Sequence, residues 1–353
     1  MDNFVFNANP GRVLFGSGTV ARLGEEVASL NAERVLVLST PEQADMASGI
    51  AAQLGTRVAA VFSNAQMHTP VEVTRDALHV VEQAKADLVL SVGGGSTTGL
   101  GKAIAWRTDL PQIVVPTTYA GSEATPILGE TEAGRKTTRS DPRILPEVIV
   151  YDVDLTLTLP VAMSVTSGIN AIAHAAEALY ARDANPIVSM MAEEGISSIV
   201  RGLPRLTTNA QDREARTQLL YGAWLCGVCL GSVGMALHHK LCHTLGGMFN
   251  LPHAPMHTAV LPHALRYNAD SAPAAMARLS RAMGFADPAV GLFEFAARLG
   301  ATMSLKGLGM PENAVEAAVT EAMANPYWNP RPLEKGALTT LLERAFAGDA
   351  PWG

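Results

Sequence analysis

The chain has 353 residues, of which 48% are hydrophobic and 17% are charged, and its formal net charge is −7. Such a length and composition suit a globular protein of two domains with a large buried core. Nucleic acids and anionic membrane surfaces select clustered Lys and Arg, so an acidic chain argues against both as partners. We therefore expect a small-molecule partner.

The cysteines and the apolar segments bear on the compartment. Cys226, Cys229 and Cys242 lie in one apolar region, and their odd number does not suit a disulfide framework. The first residues lack the basic and apolar parts of a secretory signal. Residues 219–237 carry no charge over nearly the length of a membrane span, but their glycines favour a buried helix. We expect a cytoplasmic protein with no membrane partner.

The first half of the chain alternates apolar runs with helical patterns. Short apolar runs between helices are typical of parallel strands that are buried on both faces. Residues 1–158 are therefore predicted to form an α/β domain with an open, Rossmann-like parallel sheet. The strand-like runs cover residues 34–39, 57–62, 87–92 and 112–115, and helical periods cover 41–54 and 70–84.

Two loops at the expected carboxyl ends of these strands have the composition of a cofactor site. Gly93-Gly94-Gly95-Ser96 opens a helix, where glycines let the backbone approach phosphate oxygens and free N–H groups favour an anion. A tight turn alone would explain one or two of these glycines. The second loop, 116–125, is rich in hydroxyls that suit a ribose, a phosphate or an amide. Neither loop is a G-x-G-x-x-G fingerprint or a Walker loop.

The second half has a 3.6-residue period and predicts an all-α domain over residues 159–353. His239 and His243 are four residues apart, as are Asn170 and His174, so each pair projects from one helix face. A single His in an apolar helix is more often a structural residue than a ligand. Two such pairs facing a shared interior, however, are typical of metal or catalytic sites in helical domains.

Taken in order along nearly the whole chain, these motifs resemble the iron-containing alcohol dehydrogenase family, with its relatives glycerol dehydrogenase and dehydroquinate synthase. The family implies a nicotinamide-binding domain, a helical domain, a catalytic cleft between them and a homodimer. The matching motifs are Gly93-Gly94-Gly95-Ser96, Pro116-Thr117-Thr118, Lys136, His174, His239, His243, Leu245-Gly246-Gly247, Pro252-His253 and Leu261-Pro262-His263.

Within this family the chain resembles the group of maleylacetate reductases. The narrower resemblance depends on the segments 93–102, 117–123 and 325–331, the first with Gly99 where most members have Asp. It implies that NADH or NADPH reduces the carbon–carbon double bond of maleylacetate, a dicarboxylate, to give 3-oxoadipate in the catabolism of resorcinol, hydroxyquinol or chlorinated aromatics. Two alternatives stay open: a metal-dependent alcohol or polyol dehydrogenase, and a cofactor-binding protein without turnover.

The resemblance also assigns roles to individual residues. His243 falls on the histidine beside the nicotinamide, and the other three catalytic candidates, His174, His239 and His253, fall on metal-ligand positions. The expected dinucleotide contacts are Gly94, Gly95, Ser96, Thr117, Thr118 and Lys136, to which we add Ser122 and Thr40 from the strand-end loops. The expected substrate contacts are Asn170, Tyr119 and Arg331.

Two departures from the family pattern lead to further expectations. Metal-dependent members have Asp where this chain has Asn170, and an amide ligates a divalent metal far more weakly than a carboxylate does. We therefore expect that no metal is required. At the end of the second strand, where an acid often excludes the 2′-phosphate of NADPH, the chain has Ser39 and Thr40. Both NADH and NADPH are therefore expected to be used.

Overall fold

The computed structural model describes residues 4–6, 8–9, 11–133 and 135–351, except for the side chains of Arg135 and Lys136. The chain divides into two compact units. One unit is Ala8–Leu159, and the other is Pro160–Gly353 together with the residues before Ala8. From the sequence we placed the division after residue 158 and assigned the first residues to the α/β domain.

The first unit is built on a six-stranded parallel sheet with a separate antiparallel hairpin. The sheet strands are β1 (Arg12–Gly16), β2 (Val35–Leu38), β3 (Val58–Phe62), β4 (Leu88–Gly93), β5 (Gln112–Pro116) and β8 (Val148–Asp152), in the order β1-β8-β5-β4-β2-β3, and the hairpin strands are β6 (Ile127–Glu132) and β7 (Arg135–Ser140). The helices are α1 (Leu23–Ser29), α2 (Ala44–Leu54), α3 (Val71–Ala84) and α4 (Gly95–Thr108). Every residue of β2, β4, β5 and β8 is buried, as expected of strands with helices on both faces.

The predicted α/β class is confirmed, and the four apolar runs form β2, β3, β4 and β5. Sequence analysis missed β1, β8 and the hairpin. Because β4 pairs with both β2 and β5, the carboxyl ends of these three strands lie side by side at one edge of the sheet. The glycine-rich loop after β4 and the hydroxyl-rich loop after β5 therefore begin side by side at this edge.

The second unit is all-α, as predicted. Its helices are α5 (Val161–Ala178), α6 (Pro186–Thr208), α7 (Arg213–Ser232), α8 (Leu237–Phe249), α9 (His253–Asn268), α10 (Pro273–Met283), α11 (Pro288–Arg298), α12 (Val315–Ala324) and α13 (Lys335–Ala347). Helix α9 packs on α5, α8, α11 and α13 and is therefore central to the unit. A cluster of buried apolar side chains joins α8, α9, α12 and α13.

The uncharged segment 219–237 is not one helix, contrary to our expectation. Helix α7 ends at Ser232 and α8 starts at Leu237, and their axes differ by 95°. Two carboxylates from an earlier part of the chain stabilise the break between the helices. Asp183 accepts a hydrogen bond from the N–H of Gly234, and Glu177 accepts one from the N–H of Ala236. In the described part of the chain no single helix could cross a membrane, and only this bent pair has sufficient length and hydrophobicity together.

A buried lysine joins helix α4 to the loop that follows β5. The Lys102 ammonium is 1% exposed and donates to the carbonyl of Ser122, to both oxygens of Thr125 at 2.8 and 2.9 Å, and to the carbonyl of Ile127 at 3.0 Å. Burial lowers the pKa of Lys102 to about 7, and the nearby Glu123 carboxylate opposes this shift. Lys102 thus holds the hydroxyl-rich loop against the helix that begins at the glycines.

We predict that Lys102→Met lowers the free energy of unfolding by about 2–4 kcal/mol, because the Met fills the space but leaves buried carbonyls unsatisfied and Glu123 without a nearby positive charge. Thermal or urea unfolding of the full chain measures the change. Lys85→Met, at an exposed lysine, is the matched control and should change stability by less than about 0.5 kcal/mol. Equal stability of the two variants would contradict the prediction.

Candidate active site

In the α/β unit, the start of helix α4 and the loop after β5 form a cradle of glycines and hydroxyls. Gly94 is the residue before the first turn, so the first N–H groups of the helix have no partner within it. A Cβ atom on Gly94 would lie 2.7 Å from Cγ2 of Thr118, so only glycine fits here. Gln43 donates to Oγ1 of Thr117 at 2.6 Å, and the N–H of Thr117 binds the carbonyl of Gly93. The structure thus groups Gly94, Gly95, Ser96, Thr117 and Thr118.

The remaining cofactor candidates differ in how far the structure supports them. Oγ of Ser122 is buried without a hydrogen-bond partner and lies 4.0 Å from where a Cβ on Gly95 would be, so it faces the cradle. An unpaired buried hydroxyl at that point fits a bound dinucleotide. Thr40 lies just after β2 and hydrogen-bonds the carboxylate of Glu42. The side chain of Lys136 lies outside the described residues.

Helix α4 also explains the glycine that departs from the family pattern. A Cβ on Gly99 would lie 2.3 Å from Oγ1 of Thr69, closer than any tolerated contact. Thr69 is itself 5% exposed and has a positive φ of 47°, which is uncommon for a β-branched residue. The loop before α3 therefore occupies the space that a side chain at position 99 would need.

In the helical unit, the carboxylate of Glu177 organises the start of helix α8. It is fully buried, and all its partners are donors: the backbone N–H groups of Ala236, His238 and His239, at 2.8, 2.7 and 3.4 Å, and Nδ1 of His239 at 2.8 Å. A carboxylate at this position satisfies the free N–H groups of the first turn and the positive end of the helix dipole. It also fixes the ring of His239 with its proton on Nδ1.

The tautomer of His239 determines which nitrogen carries the proton in the next side chain along a hydrogen-bonded chain. Nε2 of His239 has a lone pair and lies 2.8 Å from Nδ1 of His174, which therefore donates. Nε2 of His174 is then an acceptor and faces the amide nitrogen of Asn170 at 3.5 Å. Oδ1 of Asn170 is buried without a hydrogen-bond partner. The two i, i+4 pairs predicted from the sequence thus meet through one continuous chain, Glu177–His239–His174–Asn170.

His243 is one turn beyond His239 and is partly exposed. Its Nδ1 is 3.0 Å from the hydroxyl of Tyr327, and burial raises the pKa of Tyr327, followed by the charge of Glu177. The phenol therefore keeps its proton and can donate to Nδ1, which leaves the proton of neutral His243 on Nε2. Asn329 of the same loop accepts the N–H of Leu237 at 3.4 Å.

A second layer of side chains lies behind these. His253, at the start of α9, is partly exposed and packs against His257 in a tilted arrangement, with 4.3 Å between ring centroids. Nδ1 of His257 is 3.0 Å from Nε2 of His238, and burial lowers the pKa of both rings well below the ordinary value. His238 and His257 are therefore neutral. Cys242 packs on His238 with its Sγ 3.7 Å from Nε2.

Two of the predicted substrate contacts are not brought to the histidines by any described contact. The guanidinium of Arg331 stacks on the ring of Tyr267 at 4.3 Å, donates to the Tyr267 carbonyl and pairs with Glu334 at 3.6 Å. Tyr119 belongs to the α/β unit and is fully buried. Their contacts with a substrate remain predictions. Sequence analysis assigned no role to Glu177, Tyr327, His238 or His257.

The iron that the family name implies does not fit the residues at the family's metal position. No ligand there is negatively charged, because Asn170 is an amide and the Glu177 carboxylate is already engaged by helix α8 and the far side of His239. The lone pair of His239 Nε2 is directed at a proton of His174. Among the described residues, the set whose ligand atoms lie within 4.8 Å of one another is His238, Cys242 and His257, and not His174, His239 and His253.

Comparison with known proteins agrees with this organisation. Residues 10–153 match the family model described as iron-containing alcohol dehydrogenase, and residues 164–346 match that of the Fe-containing alcohol dehydrogenase family, C-terminal. The chain is 56% identical to a maleylacetate reductase from Rhizobium sp. (strain MTP-10005), over 99% of this chain and 100% of the relative. It is 55% identical to that of Sphingobium indicum, over 99% of both chains.

Solved structures lead to the same family. The crystal structure of maleylacetate reductase from Agrobacterium tumefaciens is 56% identical and superposes with a TM-score of 0.95, over 99% of this chain and 100% of that one. The resemblances stated from the motifs, to the family and to the maleylacetate reductases within it, are confirmed. The chain therefore belongs to the iron-containing alcohol dehydrogenase family and is an oxidoreductase.

Proposed function

We propose that the protein reduces the carbon–carbon double bond of maleylacetate with NADH or NADPH and releases 3-oxoadipate, a step in the catabolism of aromatic compounds. The substrate comes from the names of the full-length relatives. The observation that carries the chemistry is the hydrogen-bonded chain Glu177–His239–His174–Asn170, which occupies the family's metal position with proton donors and acceptors. We further propose that catalysis requires no metal.

Because the reduced bond is a carbon–carbon double bond conjugated to a ketone, hydrogen-bond donors are sufficient for catalysis without a metal. When bound, the reduced nicotinamide supplies a hydride to the carbon beta to the ketone. The negative charge that develops is spread over an enolate, which hydrogen-bond donors can stabilise, whereas reduction of a simple carbonyl builds a localised alkoxide that favours a Lewis acid. Gly94, Gly95, Ser96, Thr117, Thr118 and Ser122 would hold the dinucleotide.

The enolate then needs a proton at the carbon next to the ketone. The His243 side chain is partly exposed, and its Nε2 carries the ring proton when Tyr327 donates to Nδ1, so we assign His243 as the donor. The buried chain can hold one more proton. If His174 is protonated at both nitrogens, its Nδ1 proton can shift to His239 beside Glu177, which leaves neutral His174 with a proton on Nε2. After rotation of the amide, Oδ1 of Asn170, which has no hydrogen-bond partner now, can accept a hydrogen bond from that N–H.

The direct test is to mix the purified protein with maleylacetate and NADH and to follow the absorbance of reduced nicotinamide, before and after exhaustive dialysis against EDTA. We expect NADH oxidation that depends on maleylacetate and is not lowered by EDTA, because the site holds donors in place of a metal. Activity that is lost with EDTA and restored by Fe²⁺ or Zn²⁺ would refute metal independence.

The same assay separates the alternatives. Turnover of a small alcohol or polyol with added metal, without turnover of maleylacetate, would favour a metal-dependent dehydrogenase. Tight NADH binding with no turnover of either substrate would favour a binding protein.

We predict that Glu177→Gln lowers kcat about 100-fold, since an amide cannot stabilise a proton on His239 and its NH₂ group opposes the backbone N–H groups of α8. The KM for NADH should not change, because the cradle lies in the other unit. Steady-state kinetics with both substrates measure this.

Asp287→Asn is the matched control, since Asp287 caps α11 through the N–H groups of Ala289 and Val290 without contacting a catalytic ring. It should keep wild-type kcat. A Glu177→Gln protein that is folded by circular dichroism and has unchanged kcat would argue against the proton chain.

For the cofactor, we propose that both NADH and NADPH are used and that Glu42 sets the ratio. Thr40 does not repel a 2′-phosphate, but the carboxylate of Glu42 is hydrogen-bonded beside it. Glu42→Gln should raise kcat/KM for NADPH relative to NADH by roughly tenfold, the effect of removing one like-charge contact. Glu25→Gln, an exposed acid on α1, is the control. An unchanged ratio would remove Glu42 from cofactor choice.

We also propose that the protein is a cytoplasmic homodimer. The reducing compartment is supported by three cysteines that form no disulfide, and the dimer rests on family resemblance.

A further inference from the structure

Three buried side chains behind the catalytic histidines form a cluster that the proposed reaction does not use. His238 and Cys242 are four residues apart on α8 and share a helix face, and His257 reaches them from α9. Their exposures are 0%, 1% and 1%. One ligand atom from each lies within 4.8 Å of the other two. None of the three belongs to the set that the family resemblance assigns to iron.

The distances in this cluster are close to those of a metal site. In tetrahedral zinc sites the bonds are about 2.0–2.1 Å to nitrogen and about 2.3 Å to sulfur, so two ligand nitrogens lie about 3.4 Å apart and a nitrogen and a sulfur about 3.6 Å apart. Here Nε2 of His238 is 3.0 Å from Nδ1 of His257 and 3.7 Å from Sγ of Cys242. The third separation, between the ligand atoms of Cys242 and His257, is within 4.8 Å, so movement of the His257 ring toward the sulfur would complete the set.

We propose that His238, Cys242 and His257 form a binding site for Zn²⁺, separate from the family's iron position. Two imidazoles and a thiolate are a ligand set that zinc prefers, and that the oxygen-seeking Mg²⁺ and Ca²⁺ do not. The fourth position is left for water or a nearby side chain. This inference does not depend on the proposed function, because metal binding is measured without turnover.

The charges around the cluster favour a dication. Zn²⁺ with one thiolate leaves one positive charge in the interior, and the carboxylate of Glu177 on α5, which accepts the backbone N–H of His238, is a buried negative charge beside the start of α8. All other partners of Glu177 described above are neutral when His239 is neutral. A bound zinc would thus supply the nearby positive charge that this carboxylate otherwise lacks.

The protons balance simply. The Nδ1 proton of His257, which now bridges to His238, moves to Nε2 of the same ring, an atom that is buried without a hydrogen-bond partner. The Cys242 thiol loses its proton to solvent. Zinc replaces the bridging proton and binds both rings and the sulfur.

Zinc binding at this site would affect the positions of the catalytic histidines through contacts between rings. Between ring centroids, His257 lies 4.3 Å from His253 and 5.4 Å from His239, and His238 lies 5.2 Å from His239. A shift of His257 toward zinc moves the ring against which His253 packs. We therefore expect Zn²⁺ to inhibit the reductase and EDTA to restore activity.

The decisive experiment adds Co²⁺, as a spectroscopic substitute for Zn²⁺, to the metal-free, full-length protein. It records the near-ultraviolet charge-transfer band of a sulfur–cobalt bond. The family's iron position contains no sulfur, so the band does not arise from that position. We expect one Co²⁺ per chain by equilibrium dialysis, displacement by Zn²⁺, and loss of the band in Cys242→Ser and in His257→Gln.

The controls distinguish other thiols and the other site. Cys229→Ser changes a buried thiol of α7 and should keep the band, and His174→Gln changes the family's metal position and should also keep it. Circular dichroism establishes that each variant is folded, and two cluster variants on different helices guard against one that does not fold. Absence of the band in the wild type, or its persistence in folded Cys242→Ser or His257→Gln, would overturn the proposal.

Discussion

The burial of the Glu177 carboxylate at the start of helix α8 is the interaction on which the arrangement of the histidines depends. An ionised group without contact to water is stable only when its oxygens are fully hydrogen-bonded, and here three backbone N–H groups and one imidazole do this. The same contacts fix where α8 begins and set the tautomer of His239. They also bind N–H groups that a continuation of α7 into α8 would use. Helix geometry and proton position therefore have a common cause.

The two units solve the problem of holding polar groups in an apolar interior in the same way. In the α/β unit, the Lys102 ammonium sits among carbonyl oxygens and aligns a loop with the first turn of α4. In the helical unit, the Glu177 carboxylate lies among N–H groups and positions the helix that carries His239 and His243. Each buried charge is matched to backbone groups whose direction is already set by secondary structure. Such contacts position nearby side chains without flexible partners.

The sequence predicted those features that depend on local pattern. Apolar runs gave four strands, and glycines before a helix gave the cradle, because both follow from period and backbone freedom. Strand β8 was missed although the buried run Val148–Tyr151 carries the same signal. The role of Glu177 could not be predicted, since its partner His239 is 62 positions away and an acid in an Ala-rich helix is usually exposed. Tyr327 and His243, 84 positions apart, have the same difficulty.

Partial resemblance also misleads where local context decides. The break between α7 and α8 contradicts the uniform composition of that segment, because Asp183 and Glu177 bind the backbone N–H groups that a continuous helix would use itself. The guanidinium of Arg331 packs on Tyr267 and donates to its carbonyl, in the loop from which Tyr327 reaches His243, and its contact with a substrate carboxylate stays a prediction.

The contact between Gly99 and Thr69 constrains how this chain can diverge from its family. Positions 99 and 69 belong to different elements, but the space beside α4 admits a side chain from only one of them. An aspartate at 99 is compatible with the fold only if the loop before α3 changes first or at the same time. The two positions should therefore vary together among relatives, because a side chain at 99 requires a different residue or loop conformation at 69.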